Sequence, residues 1–173
     1  EAGIIGNTLA AGRSRRKDER SAVVHFLDSV SGEFWRRAGR TRLFGVTVRD
    51  GAYAKHVGPE GKQSVPDKVE SRFMAGDIVD LVGAGDAFRA GLITYIARNI
   101  DDFARASLNF SQALQMGNLF AALYIKAPLG DRHSGIAGYN KMVQVVRNTA
   151  VYPTLKTLQD ALETVKLSGL VPD

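Results

Sequence analysis

Asp80-Leu81-Val82-Gly83-Ala84-Gly85-Asp86-Ala87-Phe88-Arg89-Ala90-Gly91 is the stretch on which the reading of this chain turns. A short β-branched run, Ile78 to Val82, leads into it, and beyond it Phe88, Leu92, Tyr95 and Ile96 fall at helical spacing. The expectation is a strand over Ile78–Val82, a glycine turn, and a helix beginning near Gly85. Glycines at such a switch let the backbone turn tightly and bring several N–H groups to one point. The positive end of the helix dipole falls on the same point, which suits an anion, phosphate above all. An aspartate closing the turn would repel a bound phosphate. It makes chemical sense where the carboxylate takes the proton of a hydroxyl group while the N–H groups hold a phosphoryl group in transfer.

On the residues alone three readings stand side by side. The stretch could be a tight strand-to-helix turn with an aspartate near the helix start. It could be a dinucleotide turn, but that pattern needs G-x-G-x-x-G or G-x-G-x-x-A, and Gly83, Gly85 and Phe88 do not complete it. No acidic residue ends a further strand about 20 positions on, where such a fold would hold a ribose. The third reading is a phosphoryl-transfer site.

Upstream of the turn, Leu43 to Val48 reads as a buried strand, Arg49-Asp50-Gly51 as a turn, and Ala52 to His56 as the returning strand of a hairpin. Ala22 to Leu27 is a short apolar stretch, followed by turn formers from Asp28 to Gly32. Phe34 and Trp35 precede a basic cluster of Arg36, Arg37, Arg40 and Arg42, and Gly58 to Asp67 reads as a loop. Residues 1–21 show no period and are expected to be peripheral or poorly ordered, with 22–173 forming the rest of the molecule. Downstream, Asn99 to Asp102 breaks the first helix, with Asp101 or Asp102 placed to cap the next. Phe103, Ala106, Phe110, Ala113, Gly117, Phe120 and Tyr124 then recur at helical spacing until Pro128 and Gly130. After a loop from Leu129 to Gly138, helices are expected at Lys141–Val146 and Thr154–Leu167, the last with a stripe of Leu155, Leu158, Leu162 and Val165. Strand, glycine turn and helices in this order spell an α/β fold.

With 173 residues, 45% of them hydrophobic, the chain has room for one core, and two full domains would be cramped. Its apolar runs fall well short of the roughly 20 residues of a membrane span, and no signal peptide is visible at its start. The chain contains no cysteine, which excludes disulfides, thiolate nucleophiles and zinc–sulfur sites and makes the cytoplasm the simplest home. Its first residue is Glu1, which suggests a fragment or partial product.

The net charge of +5 is largely local. Arg13, Arg15, Arg16, Lys17 and Arg20 face only Asp18 and Glu19, and no aromatic residue is interleaved for base stacking. A solvated segment is expected there, and neither nucleic acid nor a membrane is expected as a partner. His25, His56 and His133 share no helical face and offer no metal-ligand spacing.

The segment Asp80 to Leu92 resembles the second signature of the ribokinase-like, or PfkB family, carbohydrate kinases, commonly D-T-x-G-A-G-D-x-F-x-x-G. It keeps the first aspartate, the G-A-G-D core, the phenylalanine and the glycine, and departs at Leu81, where a threonine or another small residue is usual. The resemblance implies a central, mostly parallel sheet flanked by helices, incomplete relative to the family. It implies ATP-dependent phosphorylation of a sugar or nucleoside hydroxyl with Mg2+, with Asp86 as the base and the backbone of Gly83, Ala84 and Gly85 as the anion hole.

Met116-Gly117-Asn118-Leu119-Phe120-Ala121-Ala122-Leu123 is similar to the family's F-A-N-A-A-x-A-L helix, which implies Asn118 near the adenine pocket. Asn118 lies 32 positions after Asp86, as in the family. By composition alone, an asparagine in an apolar helix is a satisfied core group. Val46-Thr47-Val48-Arg49-Asp50-Gly51 resembles the family's V-T-x-G-x-x-G strand and turn and would place Thr47 near the nucleotide with Gly85, although Arg49 breaks the glycine pattern. Gly130 and Ser134 fit the family's G-x-x-x-S segment, which with Asp80 and the Val82 carbonyl implies a monovalent cation such as K+.

The resemblance spans roughly Leu43 to Val146. Family members are longer, with a G-G-N-type segment early in the chain, and nothing like it is present here. A sugar or nucleoside substrate and a second copy of the chain are the implied partners. The alternatives are a non-catalytic nucleotide- or sugar-binding domain on the same scaffold, or an inactive fragment of the kinase.

Overall fold

The structure is a computed structural model that describes residues 16–38, 43–58, 64, 67–73, 76–148 and 150–165. Within these the elements are α1 (Arg16–Ala38), β1 (Leu43–Val48), β2 (Gly51–His56), β3 (Asp67–Glu70), α2 (Ala84–Arg98), α3 (Ile100–Ala104), α4 (Phe110–Lys126), α5 (Tyr139–Arg147) and α6 (Leu155–Thr164). The chain divides into two compact units, Glu1–Val69 and Glu70–Asp173. Each has its own apolar cluster, where composition suggested a single core.

In the first unit the Leu43–Val48 and Gly51–His56 runs form the expected hairpin, with Val48 opposite Gly51 and Leu43 opposite His56 across a two-residue Arg49-Asp50 turn. The strand β1 is less buried than its sequence suggests, because only Phe44 faces the cluster fully. Helix α1 supplies Val23 and Leu27, which pack with Phe44, Tyr53 and Val57. This helix runs through Asp28–Gly32, where turn formers suggested a break, and takes in Arg16 to Ser21 as well. Local propensity is a weak prior, and the apolar seam repeating from Val23 to Leu27 overrides it. Asp28, on the same helix, accepts a hydrogen bond from the buried Nζ of Lys55. The basic residues Arg13, Arg15, Arg40 and Arg42 lie outside the described residues, as does most of the Gly58–Asp67 loop.

The sheet has three strands in the order β1-β2-β3, and the β1–β2 pair is antiparallel. The α/β character expected from the sequence holds. A central, mostly parallel sheet is not what the described residues form. Ile78–Val82 accordingly is not a strand: it is a bent segment whose Val79 and Asp80 N–H groups both donate to the Ile125 carbonyl, at 2.9 and 3.2 Å. A β-branched run becomes a strand only where a neighbouring strand takes up its ladder, and here a helix end takes that place.

The second unit is built around α4, which is buried on every side from Ala113 to Leu119. Helices of this kind sit at the centre of a core. Asn109 caps it by accepting from the Gln112 N–H. The long helix expected from Phe103 is thus two helices, and Asp101 and Asp102 lie inside the short α3 instead of capping the long one. Ala127 and Pro128 end α4 where the sequence places the stop. Helices α5 and α6 add Met142, Val145, Leu158 and Leu162 to the core. Thr154 and Thr157 form a reciprocal capping box at the start of α6. This helix ends at Thr164, where Val165 leaves the helical backbone as its C-cap, short of the expected Leu167, which itself lies outside the described residues.

Candidate functional site

The Asp80–Asp86 turn is assembled by hydrogen bonds that its own residues make. Asp80 Oδ1 accepts from the Val82 N–H at 3.0 Å, an aspartate turn that reverses the chain. The Leu81 carbonyl accepts from the Ala84 N–H at 3.1 Å, and between them Gly83 has φ 84° and ψ 0°. That is the third position of a type II turn, which calls for a glycine. A second reason for glycine is space. A Cβ on Gly83 would come within 2.9 Å of the Tyr124 ring and hydroxyl. Gly83 is also the N-cap of α2, its carbonyl receiving the Asp86 and Ala87 N–H groups.

Phe88 and Gly91, the later members of the signature, do structural work one turn deeper. Phe88 is buried and packs on Gly117, where an added Cβ would meet its ring at 2.7 Å. A Cβ on Gly91 would meet the Met116 carbonyl at 2.6 Å. The two helices α2 and α4 therefore touch backbone to backbone through a glycine on each, which explains the spacing Asp86-x-Phe88-x-x-Gly91 in packing terms.

Gly85 is different. Its backbone is not in the left-handed region, and a Cβ there would meet nothing within 4 Å. Nothing among the described residues demands a glycine at this position. Its N–H has no acceptor among the described residues, while the neighbouring Ala84 N–H is held by Leu81 and the Asp86 N–H by Gly83. Next to it, the Asp86 side chain is 83% exposed and accepts from Arg89 Nη1 at 2.9 Å.

The remaining expected site residues are not all part of this turn. Asn118 is 5% exposed on α4, where its Nδ2 donates to Gln115 Oε1 at 3.2 Å. Gln115 in turn donates to the Glu70 carbonyl at 2.7 Å. Thr47 is an exposed residue of β1 opposite Ala52, in the first unit. Gly130 has open space around its Cα, and Ser134 is exposed with its hydroxyl donating to the Asp131 carbonyl at 2.9 Å. Leu81, the departure from the signature, faces outward and disturbs no packing.

A residue that the sequence reading passed over completes the picture. Arg132, whose side chain is only 10% exposed, donates from Nη2 to Asp80 Oδ2 at 2.7 Å. Its Nη1 reaches the Asp80 carbonyl at 3.3 Å and the Tyr124 carbonyl at 3.2 Å. The guanidinium also lies over the Tyr124 ring, 5.2 Å from its centroid. The Val82 N–H first, and the Arg132 charge with it, hold the Asp80 carboxyl below its ordinary value of 3.8. No short spacing announces this pair, since the two residues are 52 positions apart.

Among the described residues, no three His, Asp or Glu side chains group to hold a metal ion, and no helix is long and apolar enough to cross a membrane. The family model described as pfkB family carbohydrate kinase matches residues 49–132, from the hairpin turn through the Asp80–Asp86 turn to Arg132. Neither the curated proteins nor the solved structures provide a match. Residues 49–132 of this chain are therefore similar to a segment of the pfkB family carbohydrate kinases.

Proposed function

We propose that the Asp80–Gly91 segment is the phosphoryl-transfer end of an ATP-dependent kinase for a sugar or nucleoside hydroxyl. The observation that carries this is Gly85: an open glycine with an uncommitted N–H, at the start of a 15-residue helix, beside an exposed carboxylate. Backbone N–H groups at a helix start favour a phosphoryl oxygen, and a side chain at position 85 would stand in its approach. In this reading Gly83, Ala84 and Gly85 shape the anion hole, with the Gly85 N–H as the donor free to point at the substrate. Asp86 takes the proton of the attacking hydroxyl.

ATP supplies the phosphoryl group. Mg2+ suits this site as a companion of the nucleotide phosphates, since it keeps most of its water and needs few protein carboxylates. Asn118, buried as it is, would act on the nucleotide by fixing α4 through Gln115.

A second reading has its own support. Asp86 is paired with Arg89, so its carboxylate is also a favourable charge in the first turn of α2. A non-catalytic nucleotide- or sugar-binding domain would need nothing more from it.

The experiment that separates the two is phosphoryl transfer from ATP to a panel of sugars and nucleosides by the protein and its Asp86→Asn variant. Transfer that the variant loses supports the kinase. Nucleotide binding without transfer in either protein would favour the binding domain.

A further inference from the structure

We propose that Arg132 is the resident cation of the Asp80–Gly85 turn, so that this chain holds the turn in shape without K+. The proposal rests on the kinase reading only for its bearing on catalysis; the geometry stands independently of it. A K+ ion at the turn would need oxygen ligands of low total charge, and the expected set was Asp80, the Val82 carbonyl, Gly130 and Ser134. The described residues do not fit such an ion. Both carboxylate oxygens of Asp80 are already engaged, Oδ1 by the Val82 N–H at 3.0 Å and Oδ2 by Arg132 at 2.7 Å. The Ser134 hydroxyl is turned to the Asp131 carbonyl.

What Arg132 touches is itself a cation's environment: one carboxylate oxygen and the carbonyls of Asp80 and Tyr124. A guanidinium spreads one positive charge over a planar fork and is weakly hydrated, which suits it to a partly buried oxygen cluster better than an ammonium. A second cation placed against the same carboxylate would be repelled by the guanidinium charge.

The position of Arg132 is set by the loop that carries it. Asp131 N–H donates to the Pro128 carbonyl at 2.9 Å, and Ile136 N–H to the His133 carbonyl at 3.0 Å, so successive turns present Arg132 and His133 to the same residue. The His133 ring lies 5.4 Å from that of Tyr124, centroid to centroid. Tyr124 in turn fills the space beside Gly83. Arg132 thereby reaches both sides of the turn: Asp80, which shapes its beginning, and Tyr124, which backs its central glycine. It is a positioning residue, acting on the N–H groups of the turn through these two.

The test is thermal unfolding of this 173-residue chain in KCl, NaCl and choline chloride at one ionic strength of about 0.1 M, so that screening is equal. A cation that binds only the folded chain raises the midpoint by mass action. The expected result is one midpoint in all three salts for the unaltered chain. Arg132→Ala should unfold several degrees lower in choline chloride and recover part of that loss in KCl alone. Arg132→Lys, which keeps a charge, should remain indifferent to K+ and serves if the alanine variant does not fold. A midpoint of the unaltered chain that is higher in KCl than in both other salts would overturn the proposal. So would an Arg132→Ala protein that folds and shows no preference for KCl. Neither outcome depends on phosphoryl transfer, so the kinase reading can fail while this one holds, and the reverse.

Discussion

Phe88 lies so close to Gly117 that a Cβ on the glycine would come within 2.7 Å of its ring, and three residues on, a Cβ on Gly91 would come within 2.6 Å of the Met116 carbonyl. The helix that carries Asp86 is thereby held against the central helix of its unit through two glycines and an aromatic ring. The position of the carboxylate follows from this contact.

Replacing Gly91 with alanine should cost the chain about 2–3 kcal/mol, because the clash is with backbone and the helices must move apart. Gly117→Ala should cost somewhat less, since the backbone atom its Cβ would meet, the Phe88 carbonyl, lies at 2.9 Å, where the Met116 carbonyl lies at 2.6 Å from that of Gly91. Urea unfolding of the two variants checks both the magnitude and the order.

Gly85→Ala should behave in the opposite way. Its backbone suits alanine and its surroundings are open, so stability should rise by about 0.4–1 kcal/mol through the unfolded chain. If the Gly85 N–H receives a phosphoryl oxygen, transfer should nevertheless fall by a factor on the order of 10² as the methyl group blocks the approach. A variant that is more stable and equally active would remove Gly85 from the site.

Asp86→Asn should lower turnover by a factor of roughly 10² to 10⁴, the usual share of a general base. Nucleotide affinity should hold or tighten, because a negative charge leaves a phosphate site. Stability should change little for a side chain so exposed. Calorimetric titration with ADP beside steady-state kinetics tests the split, and wild-type turnover in the variant would exclude Asp86 as the base.

Stability should also depend on Asp80 at acid pH, with a definite sign. The folded state holds this carboxyl below its ordinary value of 3.8, so ionised Asp80 stabilises the folded chain above that pH. The contribution is lost as pH falls through the lowered folded value. The difference in stability between the chain and Asp80→Asn should therefore be largest near neutrality and shrink below pH 3.8. A difference that stays constant from neutrality down to that range would show that Asp80 acts only through its shape.

The helix from Ala84, the Leu43–His56 hairpin and the stop after α4 were legible in the sequence, since each rests on local chemistry: helical spacing after a glycine pair, a two-residue turn, a proline after an apolar run. The signature residues Gly83 to Asp86 were legible for the same reason. What Ile78–Val82 would do was not, because a strand exists only through a neighbour, and residues far along the chain decide whether one is there. The break before Asn109 was missed because Phe103 and Ala106 keep the helical spacing across it. Helix α1 was missed because its apolar seam is brief and its turn formers are many; packing against the hairpin decides it. Arg132 shows the same limit in the site itself. As a sequence it is one basic residue in a loop between Gly130 and Ser134. Only folding carries it across 52 positions to Asp80, where a buried charge requires a partner and determines what else the turn can hold.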